Sequence, residues 1–255
     1  TPQLYWQFGG GQDYAKLMPW WSQQVSSVGR HLYTGNAVYR IAAGSGDWSP
    51  TEIQRQIDSN RVGGRALGFV AFSSKSVTNN LKGIQDSLRN NQFKYKALPP
   101  AMPWLDNVPP LPPVNVVASV AGNVVTLQWE KGATASDGDT NKYFVLYRAV
   151  NEVEELNIEN PKYIRHVSMD GSTSFSDTIP SLNSVQYQAV ITSHDKLWNE
   201  SSAGARVFVA PSGKPYFSLK QSSIDLGEAA LGTTVYDTVY LYNRASTVLN
   251  ISSTT

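Results

Sequence analysis

The chain has 255 residues, 41% hydrophobic and 16% charged, with 21 Lys+Arg against 20 Asp+Glu and a formal net charge of +1. That balance carries no nucleic-acid footprint and no solvating acidic tail. The absence of cysteine excludes disulfides, thiolate metal sites and a cysteine nucleophile.

No apolar run reaches the roughly 18 residues that a membrane helix needs, and no signal peptide opens the sequence. The chain starts on Thr1, inside a strand-like run, and is expected to be a fragment of something longer. Charge is uneven along it: residues 1–110 carry 11 basic and 6 acidic side chains, residues 111–255 carry 10 and 14. Such a shift fits two domains better than a steering device.

Residues 1–106 repeat one pattern, in which a strand-like run is followed by a helix signal. The runs are Pro2–Trp6, His31–Asn36 and Leu67–Phe72, and the signals begin at Asp13, Ser49 and Thr78. Strand then helix, repeated, predicts a parallel α/β sheet, whose chemistry sits where the strands end. Asp13 is a natural N-cap, and Pro19 is expected to kink or end the first helix. Ser49, Pro50 and Glu52 predict the second helix through a cap, a first-turn proline and an S-x-x-E capping box. Ile53, Ile57 and Val62 give that helix an apolar face, and Leu81, Ile84 and Leu88 give one to the third.

Residues 107–113, Asn-Val-Pro-Pro-Leu-Pro-Pro, read as a stiff extended linker. From 114 to 211 the pattern turns to alternating runs at 114–120, 124–129, 143–150, 163–167, 185–193 and 205–209, which predicts a β-sandwich. Trp129 lies on its second strand, and Leu182…Tyr187 has the order of a tyrosine corner. The block resembles a fibronectin type III domain in its proline-led first strand at Pro113, Trp129, the "YFVLYRAV" strand and the "IPSLNSVQYQAVITSHD" strand. Pro211–Pro215 reads as a second linker. Residues 216–255, with a turn at Leu226-Gly227, look like the opening strands of an immunoglobulin-like domain of which about half is present.

The segments "PQLYW", "DYAKLMPWW", "LYTGNAVYRI", "WSPTEIQRQI" and "GFVAFSSKSV", followed by "ALPPAMPW", are similar in order to the last third of the glycosyl-hydrolase-like 10 family of bacterial (β/α)8 barrels. The resemblance implies that residues 1–106 are the sixth, seventh and eighth strand–helix units. It implies a parent that processes a polysaccharide or cell-wall glycan outside the cytoplasm of a bacterium, in the periplasm or at the cell surface. Members of that family carry an acidic "DDY"-type motif on an earlier strand, and this sequence lacks it. Glycosidases need paired carboxyls, about 5–5.5 Å apart for retention and about 6.5–9.5 Å for inversion. No such pair stands at a strand end, so no catalytic residue is assigned and the chain by itself is expected to be inactive. A non-catalytic carbohydrate-binding or cell-surface scaffold is the alternative. Three strand–helix units leave open sheet edges. The block is therefore expected to pack on the sandwich, to form a homodimer, or to be completed by a missing N-terminal barrel portion.

Candidate sugar-binding residues sit after the three strands. Gln3, Tyr5 and Trp6 offer an amide and aromatic faces, although Trp6 also suits barrel packing. Asn36, Tyr39 and Arg40 follow the second strand, and Arg40 is read as a partner for an acidic substrate, for a carboxylate of a missing strand, or for a structural ion pair. Ser73 and Ser74, next to Lys75, offer hydroxyls or simply turn into a helix, and no G-x-S-x-G surrounds Ser73. Asp47, beside Trp48, is the one carboxylate of the block placed to reach a site, and loop stabilisation is its blander role. Trp20 and Trp21 face different ways on one helix. His31, His166 and His194 have no metal spacing, and Asp137-Gly138-Asp139 lacks the closing Glu of a calcium loop. No metal and no cofactor is assigned.

Overall fold

A computed structural model describes residues 1–210, 214–221, 223–229 and 231–251. The chain divides into two compact units, Thr1–Lys96 and Ala97–Thr255.

In the first unit β1 (Gln3–Leu4), β2 (Tyr33–Ala37) and β3 (Gly68–Phe72) form a parallel sheet in that order. Its helices are α1 (Tyr14–Ser26), α2 (Pro50–Arg61), α3 (Ser74–Thr78) and α4 (Ile84–Asn90). Asp13 caps α1, its carboxylate accepting from the N–H groups of Gly9 and Ala15, each at 3.0 Å. Pro19 does not end α1, which continues through it to Ser26. The carbonyl that loses its helical partner belongs to Ala15, an exposed residue, while Tyr14 and Met18 anchor the helix by full burial.

Ser49 caps α2 and accepts from Thr51 N–H at 3.3 Å, with Pro50 next in line. Glu52 does not complete the capping box. Its carboxylate instead accepts from Phe8 N–H and from Gln56 Nε2, both at 2.9 Å. The single third helix read from the sequence is two, because Asn80, Lys82 and Gly83 all take positive φ. The side-chain oxygen of Asn80 accepts from Gln85 N–H at 2.9 Å and so starts α4.

The core packs Ile53 and Ile57 of α2 with Ile84 and Leu88 of α4, joined by Ala37, Val38, Ile41 and Trp48. Val62, read as part of the α2 face, lies at its C-cap and is exposed. Phe69 and Ala71 of β3 pack against this core. Val70 and Phe72, which alternate with them, are 49% and 53% exposed. One face of the sheet is thus covered by helices, and the other presents apolar side chains to water.

In the second unit β4 (Val114–Ala121), β5 (Val124–Glu130) and β8 (Ser174–Thr178) make a three-stranded antiparallel sheet. A four-stranded antiparallel sheet runs β10-β9-β6-β7, from β10 (Val207–Val209), β9 (Tyr187–His194), β6 (Tyr143–Val150) and β7 (Ile164–Ser168). Val125, Leu127 and Trp129 from the first sheet and Phe144, Leu146, Tyr187 and Ile191 from the second share one buried cluster, so the sheets pack face to face. The outer side of the larger sheet is also covered. Val145, Tyr147, Ala149 and Val190 bury against Leu156 and Tyr163 of the connection that follows β6.

β8 was not read from the sequence, since Ser-Phe-Ser-Asp-Thr has one apolar residue. Tyr187 does not make the backbone bond of a tyrosine corner; its hydroxyl donates to Asp177 of β8 at 3.5 Å. Residues 97–106 group with this unit, and Leu98 packs on its outer cluster.

Of the second linker, residues 211–213 lie outside the described residues, as do 222, 230 and 252–255 of the last block. Within that block β11 (Phe217–Leu219) pairs antiparallel with β12 (Leu241–Asn243), and Arg244 forms an ion pair with Glu155. At Leu226-Gly227, where a turn is expected, Gly227 takes φ 63° and its N–H donates to the Asp225 carboxylate at 2.9 Å.

One pH response follows from a turn in this unit. The Asp170 carboxylate accepts from Ser172 Oγ at 2.7 Å, from Ser172 N–H at 3.0 Å and from Ser168 Oγ at 3.0 Å. These bonds, the Ser172 hydroxyl first, hold its pKa down to about 2. The bonds therefore stabilise the fold above the ordinary carboxylate range, and that contribution is lost as pH falls towards about 2. A side-chain carboxyl NMR titration should place Asp170 near that value. In Ser172→Ala it should rise towards the ordinary range, and an unmoved titration would show that the bonds do not set it.

Candidate functional site

Three polypeptide stretches converge beyond the C-terminal ends of β1 and β2. The first leaves β1 with Tyr5, Trp6 and Gln7 and turns through Gly10, Gly11 and Gln12 towards α1. The second is the 3₁₀ turn Val38–Ile41, which carries Tyr39 and Arg40. The third folds back, with Trp48 N–H donating to the Arg40 carbonyl at 2.8 Å. Gly46 permits that return. It sits at φ 132°, and a Cβ there would lie 3.3 Å from Arg40 Cβ and 3.4 Å from Trp48 Nε1.

Tyr5, Trp6, Gln7, Gly10, Gly11, Gln12, Arg40, Gly46 and Trp48 enclose a cleft of about 350 Å³. Trp6 is 37% exposed and Trp48 is buried. Behind the rim, Tyr5 stacks on Phe72 of β3 with ring centres 5.6 Å apart and planes 13° from parallel. Tyr39 meets both rings edge-on, at 6.2 and 5.8 Å. The Arg40 guanidinium lies 5.7 Å from the Tyr39 ring centre and 5.3 Å from that of Trp48.

The strand-end loop is held from the far side of the sheet. Gln56 Nε2 donates to the Trp6 carbonyl at 3.1 Å, and Glu52 takes Phe8 N–H. Gln56 Oε1 accepts from Asn36 Nδ2 at 2.8 Å. Asn36 also donates to Tyr14 OH at 3.2 Å and accepts from Thr34 Oγ1 at 2.8 Å. Asn60 joins Tyr14 OH and Thr34 Oγ1, at 2.8 and 2.7 Å. Thr34, Asn36, Gln56, Asn60 and Tyr14 are all buried, and burial pushes the Tyr14 phenol pKa upward. Each buried polar group finds a partner, which is the condition for such a network to stabilise a fold.

Of the residues read from the sequence, Tyr5, Trp6 and Arg40 share the cleft, and Tyr39 packs beside it. Asn36 does not reach it. Its side chain is fully buried in the network on the helix-covered face. Gln3 is exposed on β1 and outside the lining. Ser74 lines a different cleft of about 460 Å³, mainly apolar, with Phe69, Val77, Leu88 and Phe93. Ser73 precedes α3 without a side-chain cap bond.

Asp47 pairs with Lys82 at 2.6 Å. Trp20 is 52% exposed, and Trp21 meets it edge-on. Gln7, Gln12 and the part played by Trp48 were missed; the adjoining glycines, which let a loop curl back over a strand end, were the available signal.

His166 stacks on Phe175 with centres 4.3 Å apart. His194 is buried, with Nε2 3.4 Å from Glu200. Carboxylates of Asp106, Asp139 and Asp195 approach within 4.8 Å of one another. The Lys196 ammonium already lies 3.0 Å from Asp139, and Asp195 accepts three bonds from Leu197 and Asn199.

The chain has sequence similarity to a glycosyl hydrolase. It is 33% identical over 209 residues, 81% of its length, to Glycosyl hydrolase YngK of Bacillus subtilis (strain 168). It spans 40% of that relative's length. No family profile matches. Among solved structures, the Clostridium perfringens spore cortex lytic enzyme SleM is 12% identical, at a TM-score of 0.26, over 76% of this chain and 75% of that one. Titin kinase with its flanking domains is 16% identical, at 0.31, over 40% and 17%. Both structural likenesses are slight.

Proposed function

We propose that the chain is part of a glycoside hydrolase-like bacterial protein that acts on a polysaccharide or cell-wall glycan, and that the cleft at Trp6 binds that glycan. One observation carries the reading. At the C-terminal ends of parallel strands, the aromatic residues Tyr5, Trp6 and Trp48 line one cleft together with the amide-bearing residues Gln7 and Gln12. Sugar rings offer apolar C–H faces for such rings and hydroxyls for such amides, and parallel α/β folds place their ligands at this end. The likeness to a glycosyl hydrolase over four-fifths of the chain supports it.

In this reading the parallel sheet supplies the last three units of a (β/α)8 barrel, and its apolar, exposed Val70 and Phe72 face what would be the barrel interior. The second unit serves as a fibronectin type III sandwich followed by immunoglobulin-like strands, and the protein works outside the cytoplasm. Among the described residues lining the cleft there is no Asp or Glu. In this reading the paired acids of a glycosidase stand on barrel strands other than these three. The same observation favours, as the second reading, a scaffold that binds glycan without cleaving it.

The test is a glycan array probed with the chain and with Trp6→Ala. Losing one exposed aromatic platform is expected to weaken binding about tenfold or more. Equal binding by both proteins would remove Trp6 from the site.

A further inference from the structure

We propose that this cleft selects acidic glycans, and that Arg40 is the residue that reads the sugar carboxylate. The inference rests on the glycan reading and narrows its substrate class. Among the described residues the Arg40 guanidinium enters no ion pair, and its Nε is buried without a hydrogen-bond partner. Arginine brings five donors and no acceptor, and a desolvated donor without a partner is costly. Such a group is completed by a ligand or by another chain segment.

The guanidinium is also held in place. Rings of Tyr39 and Trp48 lie against it, Trp48 N–H pins its backbone carbonyl, and Gly46 lets the return loop close on its Cβ. Aromatic faces stabilise the cation but accept nothing in the plane of its N–H groups, so the fork stays available. A planar carboxylate matches that fork with two parallel bonds. Every other residue lining the cleft is uncharged, so the single positive charge decides which sugars are favoured. A hexuronate brings a carboxylate for Arg40 on the same ring whose C–H face suits Trp6.

The test uses the full ¹⁵N-labelled chain, titrated with glucuronate, its methyl ester, glucose and acetate. The Arg40 Nε–H and Trp6 indole signals report binding. Glucuronate is expected to shift both and to bind about tenfold or more tightly than the ester or glucose. Arg40→Gln should abolish that preference, and Arg40→Lys, which keeps charge but loses the fork, should retain only part of it. Equal binding of glucuronate, ester and glucose at Trp6 would overturn the acidic selectivity and leave the glycan reading standing. If acetate matched glucuronate at Arg40 with the Trp6 signal unmoved, Arg40 would be a general carboxylate partner and the sugar site itself would fall.

Discussion

Asn36→Ala is expected to destabilise the first unit by about 3 kcal/mol or more, one of the two largest effects anticipated for a point change in this chain. Asn36 is fully buried, and its amide joins Thr34, Tyr14 and Gln56. Its removal leaves Gln56 Oε1 without its partner, a cost of about 1–3 kcal/mol, and takes one bond each, worth about 0.5–1.5 kcal/mol, from Thr34 and Tyr14, which keep their bonds to Asn60. Asn36→Leu should be nearly as harmful, because an apolar side chain of similar size restores packing but replaces none of the three bonds. This separates the network from simple cavity formation, which costs about 24 cal/mol per Å³. Hydrogen exchange of the β2 amides under increasing urea measures the loss. A leucine variant within about 1 kcal/mol of wild type would show that the network contributes little net stability.

Asp177→Ala should cost the second unit about 3 kcal/mol, near the lower end of the range for breaking a buried ion pair. The carboxylate is fully buried between two arginines: Arg148 Nη1 stands 3.2 Å from each oxygen and Arg165 Nε 2.9 Å from one. Tyr187 OH adds a weak bond at 3.5 Å, and burial, with Asp177 next, drives the Tyr187 pKa upward. Loss of the acid leaves two guanidiniums facing one another. Their side chains are 30% and 38% exposed, so they can turn to water, and this moderates the cost. Arg148→Gln and Arg165→Gln should each cost less, since either remaining arginine still neutralises the acid. Denaturant midpoints at constant m-value give the comparison. If the aspartate variant proved no worse than the arginine ones, the carboxylate would not be the hub of this cluster.

Local rules were legible and distant partners were not. Ser49 and Asp13 cap helices because their oxygens serve N–H groups two residues on, a relation visible in sequence. Glu52 satisfied the same local pattern, yet its carboxylate is claimed by Phe8, 44 positions away. Asn36 follows the same lesson. Position at a strand end suggested a ligand-facing amide, but side chains alternate, and its register partner Leu4 packs with Tyr14 and Met18 of α1. The sandwich strands announced themselves by alternation except β8, where Asp177 is drawn inward by arginines from β6 and β7. At the cleft, the rings of Tyr5 and Trp6 were readable as chemistry. That Trp48, rather than its neighbour Asp47, turns towards Arg40 depends on the chain reversal at Gly46.

The bond from Gln56 to the Trp6 carbonyl has a consequence for anyone wishing to move this cleft to another scaffold. The rim loop is braced from behind, by a helix that contributes no atom to the cavity wall. Transplanting residues 5–12 alone would carry the rings of Tyr5 and Trp6, without Arg40 and Trp48, and leave their struts behind. A working graft has to take α2 with it, together with the strand whose asparagine locks that helix in phase.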